Sequence, residues 1–360
     1  MRIRRRLLIP LSVLLVVLAV ALIVALRKQA PPEAARLLPG ADGFFYINLK
    51  WIRTLKWIRT FNATGPLPQV SREPEYQKFV EETGFQFERD LDQAAFAIHY
   101  PQSWGGGTAG SASEPRFSEV FVGKVDSARL TAYLKKLATS IDDYRGFEIY
   151  SIPLEGRTVR VVVLSYDTIA VSNHPDPDVI RGILDRSRKL ASPFGGPWLL
   201  RNFYRRVPLA SLSFAILRVR PEMTSLGGLG SWSLLFPKPA VAVISARCLP
   251  TFQTCALRLR AEAFTNNNDE ARALTEKTSA FISLFHAAEG SVGTQGTDAD
   301  VKAFFESLKV AEVGDRAVLT ATVPAGFIRK ALAEAPPETV APVAPPTHVA
   351  PKAPQKPKSR

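Results

Sequence analysis

The sequence predicts an α+β protein: two related, mainly antiparallel sheet units with helices packed on one face, preceded by a single transmembrane helix. Three observations carry this reading. Leu7 to Leu26 is a run of twenty residues without a charge, enough at about 1.5 Å per helical residue to cross roughly 30 Å of bilayer hydrocarbon. Beyond it, strand-like stretches follow one another across tight turns, the pattern of antiparallel sheets. Between them lie helical stretches with apolar residues at three-to-four spacing, suited to covering a sheet.

At the N-terminus, Arg2, Arg4, Arg5 and Arg6 precede the apolar run, and Arg27 and Lys28 close it. Ser12 is its one polar side chain, and Pro10 falls in the first turn, where no internal hydrogen bond is lost. The arginine cluster points to a cytoplasmic N-terminus and a periplasmic or extracellular body. A cleaved signal peptide is the competing reading; its apolar region spans about 7–15 residues and ends at a small-x-small site. Ala19-Val20-Ala21 is such a site but lies inside the run, so residues 1–28 read as an uncleaved signal anchor with residues 7–26 in the bilayer. Residues 29–39 read as a linker.

In the first unit, 40–195, a strand is expected over Phe44 to Leu49 after the turn-like Pro39 to Gly43. A helix over Glu73 to Thr83 stops at Gly84, and Ala94 to Tyr100 is a strand. Residues 102–114, rich in Gly and Ser, form a loop. Ser118 to Val125 is a strand. Asp126 caps a helix running to about Thr139, with Leu130, Tyr133, Leu134 and Leu137 on one stripe. Phe147 to Ile152, Thr158 to Ser165 and Thr168 to Ser172 are strands, and Asp178 to Leu190 is a helix. In the second unit, 196–334, strands are expected over Leu212 to Val219, Ala240 to Arg247, Ala256 to Ala263 and Ala317 to Val323. Helices are expected near Pro221 and over Asp269 to Ala288, Asp298 to Leu308 and Phe327 to Ala333.

The two halves echo each other at offsets of roughly 140–170 residues. Phe44 to Leu49 matches Ser213 to Arg218, Ala94 to Ile98 matches Ala240 to Ile244, and Val125 to Leu130 resembles Asn268 to Ala273. Thr158 to Leu164 parallels Arg316 to Thr322. An internal duplication is the expected origin. The anchor, the Leu-Pro-Gly-x-Asp-x-Phe-x-Tyr-Ile-Asn-Leu opening at Leu38 to Leu49 and the repeated strand-helix pattern resemble uncharacterised bacterial membrane-anchored proteins of unknown function. The resemblance spans about residues 1–334. It implies a compartment and a fold type and supplies no active-site residue.

Charge narrows the function. The formal net charge is +13, but residues 1–28 hold six Lys/Arg, and the tail from Ala335 holds four with one acid, Glu338. The remaining body has 36 basic and 32 acidic residues, a net of +4. That balance lacks the basic footprint of a nucleic-acid binder. The tail, 335–360, has eight prolines and repeated Ala-Pro pairs, cannot bury a core and reads as disordered or polyproline II. Its basic tip, Lys352, Lys356, Lys358 and Arg360, suits an anionic surface. Cys248 and Cys255, the two cysteines, flank an expected hairpin and could form a cross-strand disulfide in an oxidising compartment.

Few motifs carry chemistry. A hexapeptide, Leu-Lys-Trp-Ile-Arg-Thr, occurs twice in tandem from Leu49 to Thr60. Lys50, Trp51, Arg53, Lys56, Trp57 and Arg59 would suit a membrane-surface helix; the competing reading packs Trp51, Leu55 and Ile58 on the sheet. In Asn173 to Asp178, Asp176 caps a helix with Pro177 at its first position, a better account than a metal site. His99 and His174 both end strands, which leaves a shared site open. Gly105 to Gly107 lacks the Lys-Ser/Thr of a phosphate loop, and no Gly-x-Ser-x-Gly elbow occurs. No cofactor or catalytic residue is assigned. The reading is a non-enzymatic binding or scaffold protein of the cell envelope, with an envelope protein or lipid as partner. The alternatives are an envelope hydrolase and a carrier of a hydrophobic, lipid-like ligand. For the carrier, Trp198, Phe203, Trp232 and Phe236 would line an apolar pocket.

Overall fold

The computed structural model describes residues 30–54, 74–100, 114–188, 195–219, 240–250, 255–291 and 299–327. The expected anchor, the second copy of the hexapeptide, the helices near Pro221 and after Phe327, and the tail lie outside these residues. No helix among the described residues is long and apolar enough to cross a membrane.

The chain is α+β, built on one antiparallel sheet of twelve strands. The strands are β1 (Gly43–Asn48), β2 (Leu91–His99), β3 (Arg116–Gly123), β4 (Ser140–Tyr144), β5 (Phe147–Leu154), β6 (Arg157–Val163), β7 (Thr168–Ser172), β8 (Ser211–Arg218), β9 (Val241–Pro250), β10 (Cys255–Phe264), β11 (Lys309–Val313) and β12 (Arg316–Val323). Their order across the sheet is β11-β12-β10-β9-β8-β1-β2-β3-β7-β6-β5-β4. The sequence reading of two sheet units is thus corrected: the units share one sheet, joined where β1 pairs antiparallel with β8, Tyr46 opposite Phe214. From that seam, β1-β2-β3-β7-β6 and β8-β9-β10-β12-β11 run outward in the same order, and the first set continues with the β5-β4 hairpin.

The residue matching between halves needs correcting as well. Phe44 and Tyr46 are buried in β1, and in β8 the buried positions are Leu212, Phe214 and Ile216, not Ser213. Matching Phe44 to Ser213 slips the strand by one residue and turns its core face outward. Likewise β12 takes the place of β7, so the likeness of Thr158–Leu164 to Arg316–Thr322 pairs strands that are not equivalent.

Helices pack on both faces, where one was expected. On the first face lie α1 (Glu33–Leu37), α6 (Asp178–Arg188) and α7 (Trp198–Phe203). Between these and the sheet sit Phe44, Tyr46, Ala95, Ala97, Val120, Val162, Ala170, Phe214, Ile216 and Val243. Segment 29–39 is therefore not a plain linker: Ala34, Ala35, Leu37 and Leu38 are core residues. Small side chains explain the fit, since Ala34 and Ala35 of α1 share a cluster with Ala95 and Ala97 of β2, allowing a short helix to approach the sheet. On the second face, Leu130 and Leu134 of α5 (Ser127–Leu137) pack on Tyr150 and Val161. Phe79 of α3 (Pro74–Thr83) joins Phe85, Leu91 and Ala94, near the short α4 (Phe87–Asp90). Ala94 to Ile98 in β2 and Val161 to Val163 in β6 are unbroken apolar runs for this reason: adjacent residues such as Ala94 and Ala95, or Val161 and Val162, face opposite cores.

Local signals behave as their chemistry predicts. Asp126 accepts from the backbone N–H groups of Ala128 and Arg129, capping α5. Asp176 accepts from the N–H of Asp178 at the start of α6. Strands β9 and β10 form the expected hairpin, but Cys248 lies opposite Leu257 and Cys255 opposite Pro250, so the cysteines are diagonal rather than facing. Cys248 is disulfide-bonded. Helices α2 (Leu49–Thr54), α8 (Asn268–Ser291) and α9 (Ala299–Glu306) complete the described elements, with α8 and α9 packed against β12.

Candidate functional site

Two polar constellations stand out, and they differ in access. The first is buried at one end of the first face, where β2, β3 and β7 continue the apolar stripe into polar residues. His99, Ser118 and Ser172 point the same way as Ala97, Val120 and Ala170, two residues along each strand. His99 Nε2 lies 3.0 Å from Ser118 Oγ, which is 3.0 Å from Ser172 Oγ. Ser172 Oγ accepts from the N–H of His174, and His174 Nδ1 accepts from the N–H of Asp176. The two imidazoles meet edge to face at 5.1 Å. Asp42, buried beside them, accepts from the N–H of Tyr100. Burial pushes the His99 pKa down to about 4, with repulsion from His174 adding and Asp42 opposing. Burial also lowers that of His174, opposed by Asp176. Both rings are thus neutral near pH 7. Ser118 is 0% exposed and His99 4%, so the serine–imidazole pair is sealed from solvent and holds three strand ends together. Among the described residues, no group of three or more His, Cys, Asp or Glu side chains is placed to hold a metal ion.

The second constellation is open. A cleft of about 430 Å³ lies between strands β10 and β12 and the 3₁₀ turn at Tyr204–Arg206 that follows α7. Its walls are Tyr204 to Leu209, Arg260, Glu262 and Arg316. Along β10, Arg260, Glu262 and Phe264 alternate onto the first face, and Arg316 of β12 pairs with Phe264. Glu262, 3% exposed, accepts on Oε1 from Arg260 Nε at 2.8 Å, and its Oε2 forms an ion pair with Arg316 Nε at 3.0 Å without a hydrogen bond. The Phe264 ring packs edge to face on Phe203 at 5.1 Å, and the guanidiniums of Arg206 and Arg316 lie 5.8 and 5.6 Å from its centroid. The buried carboxylate thus holds Arg260 and Arg316, and the aromatic ring lies against Arg206 and Arg316, while Arg205 is exposed. At the rim, Leu209 is 60% exposed and Ala210 adopts a left-handed φ of 60°, a conformation that costs a residue with a Cβ.

The residues singled out from sequence are scattered. Trp51 is 58% exposed; Arg53 pairs with Asp92 and with the carbonyl of Leu91. Lys56, Trp57 and Arg59 lie outside the described residues, as do Trp232 and Phe236. Of the proposed apolar contacts, Trp198 is exposed and Phe203 packs into the core beside Phe264. The meeting of His99 with His174 was open in the sequence and is realised. The arginine cleft was missed, although Arg258-x-Arg260-x-Glu262 at strand spacing and the Arg205-Arg206 pair were both visible.

No protein-family model and no curated protein matches the chain. Among solved structures, the chain is similar to crystal forms of a protein called TP0453. Form IV aligns at 12% identity and a TM-score of 0.41, covering 84% of this chain and 97% of that one. Form I aligns at 10% identity and a TM-score of 0.43, with the same coverage.

Proposed function

We propose that this chain is a non-enzymatic binding or scaffold module of the cell envelope, tethered by its N-terminal segment with its body outside the cytoplasm. One observation carries the binding part: among the described residues, an open cleft gathers four arginines, two of them held by the buried Glu262, whereas the serine–histidine pair is buried. The tether rests on the apolar run from Leu7 to Leu26 and its arginine flank. The equal strand order on either side of the β1–β8 seam supports descent of the two halves from one duplicated unit. The test is a fusion of alkaline phosphatase, which matures only outside the cytoplasm, after Phe327 of the full chain. An active fusion that sediments with membranes supports the reading; an inactive one, or activity in the soluble fraction, overturns the tether.

A further inference from the structure

We propose that the cleft beneath the Tyr204–Arg206 turn binds a phosphate group, carried by a free phosphate ester or by a lipid headgroup. This deepens the binding reading above and is independent of the tether. The first argument is charge. Four guanidiniums, Arg205, Arg206, Arg260 and Arg316, line the cleft with one carboxylate, Glu262. Glu262 is shared between Arg260 and Arg316, and among the described residues Arg205 and Arg206 carry no ion pair. The cleft therefore holds an excess of three positive charges in a partly desolvated space, where Coulomb attraction is stronger than in bulk water. A phosphate, with up to two charges and several acceptor oxygens, answers that excess better than a single carboxylate does.

The second argument is geometry. Guanidinium forks match phosphate oxygens two at a time, and they do so at least entropic cost when already fixed. Here Glu262 fixes Arg260 and Arg316, and the Phe264 ring lies against Arg206 and Arg316. The third argument is the rim. Pro208 and the exposed Leu209 set an apolar lip beside the cationic cleft, which suits a phosphate attached to an organic body rather than the bare ion. The volume lies at the small end of the roughly 300–1,000 Å³ usual for ligand sites, room for a phosphate and a few carbons.

The experiment titrates the full chain in non-ionic detergent at low salt, by calorimetry, with three probes: inorganic phosphate, dihexanoyl phosphatidic acid and dihexanoyl phosphatidylcholine. The variant is R205A/R206A, which leaves the ion pairs of Glu262 intact and is expected to unfold at the wild-type temperature. Saturable binding of phosphate or phosphatidic acid, weakened at least tenfold in the variant, is the expected result. Inorganic phosphate binding as well as the lipid identifies a free phosphate ester; phosphatidic acid binding alone identifies a headgroup. The proposal is overturned by no saturable binding of either, by binding that the variant leaves unchanged, or by equal binding of phosphatidylcholine. Such a failure leaves the membrane tether, tested by the fusion, standing.

Discussion

Acidification should destabilise this fold through His99. The imidazole is 4% exposed, and its pKa falls from 6.5 to about 4 in the folded chain. Between those values the unfolded chain binds a proton that the folded chain refuses, so stability falls as pH falls. At about 1.4 kcal/mol per pKa unit, the loss across the window from pH 6.5 to 4 is about 3 kcal/mol. That is a large share of the roughly 5–15 kcal/mol typical of a folded domain. His174, also shifted down by burial, adds in the same direction. Urea unfolding at pH 7.5, 6.5, 5.5 and 4.5, followed by tryptophan fluorescence, measures the slope. In His99→Gln, whose amide can still reach Ser118 Oγ, the slope below pH 6.5 should flatten by more than half. An unchanged slope in that variant would refute the argument that a sealed, neutral imidazole sets the acid limit.

Three further outcomes follow from other sites. Glu119, on β3, is pushed up to about 7 by burial, so its own contribution to stability should decline as pH rises from 4.5 towards 7, opposing that of His99; the variant comparison at each site separates the two. Glu119→Gln should then raise the unfolding free energy at pH 8, read from urea titration, by about 2 kcal/mol after discounting its partial exposure, and leave it unchanged at pH 4. A Cβ on Gly123 would meet the Asp90 carbonyl at 2.4 Å and the Leu91 backbone at 3.1 Å. Gly123→Ala should therefore cost about 1–3 kcal/mol in chemical denaturation. Asp126→Ala removes the acceptor of two N–H groups at the start of α5 and should cost about 1 kcal/mol, with hydrogen exchange rising first in that helix.

Much of the local structure was legible in the sequence because its causes are local. Asp126 and Asp176 cap helices through oxygens two or three residues from the groups they satisfy. Strand β7 runs from Thr168 to Ser172 as read, since alternation and bounding turns are carried within the segment itself. Five elements escaped, among them α7 (Trp198–Phe203), six residues long and without a polar cap. Strands β4 and β11, with Asp142, Asp143 and Glu312 exposed along them, lie at the two edges of the sheet, where one neighbour suffices and no apolar pattern is required. Helix α1 is five residues long, too short for a periodic signal, and gains its place from the alanines of β2. Helix α4 is a single turn.

What the sequence by itself determined is most of the segments and their antiparallel character. Only the tertiary structure decided that these halves merge. The β1–β8 pairing joins residues some 170 positions apart, and no local pattern records which strand edges meet. The same holds for the sites. His99 and His174 converge because β3 lies between β2 and β7, and Glu262 gathers Arg316 because β12 returns beside β10. Sheet order is a long-range consequence of burying both faces at once, and the chemistry of the cleft follows from that order.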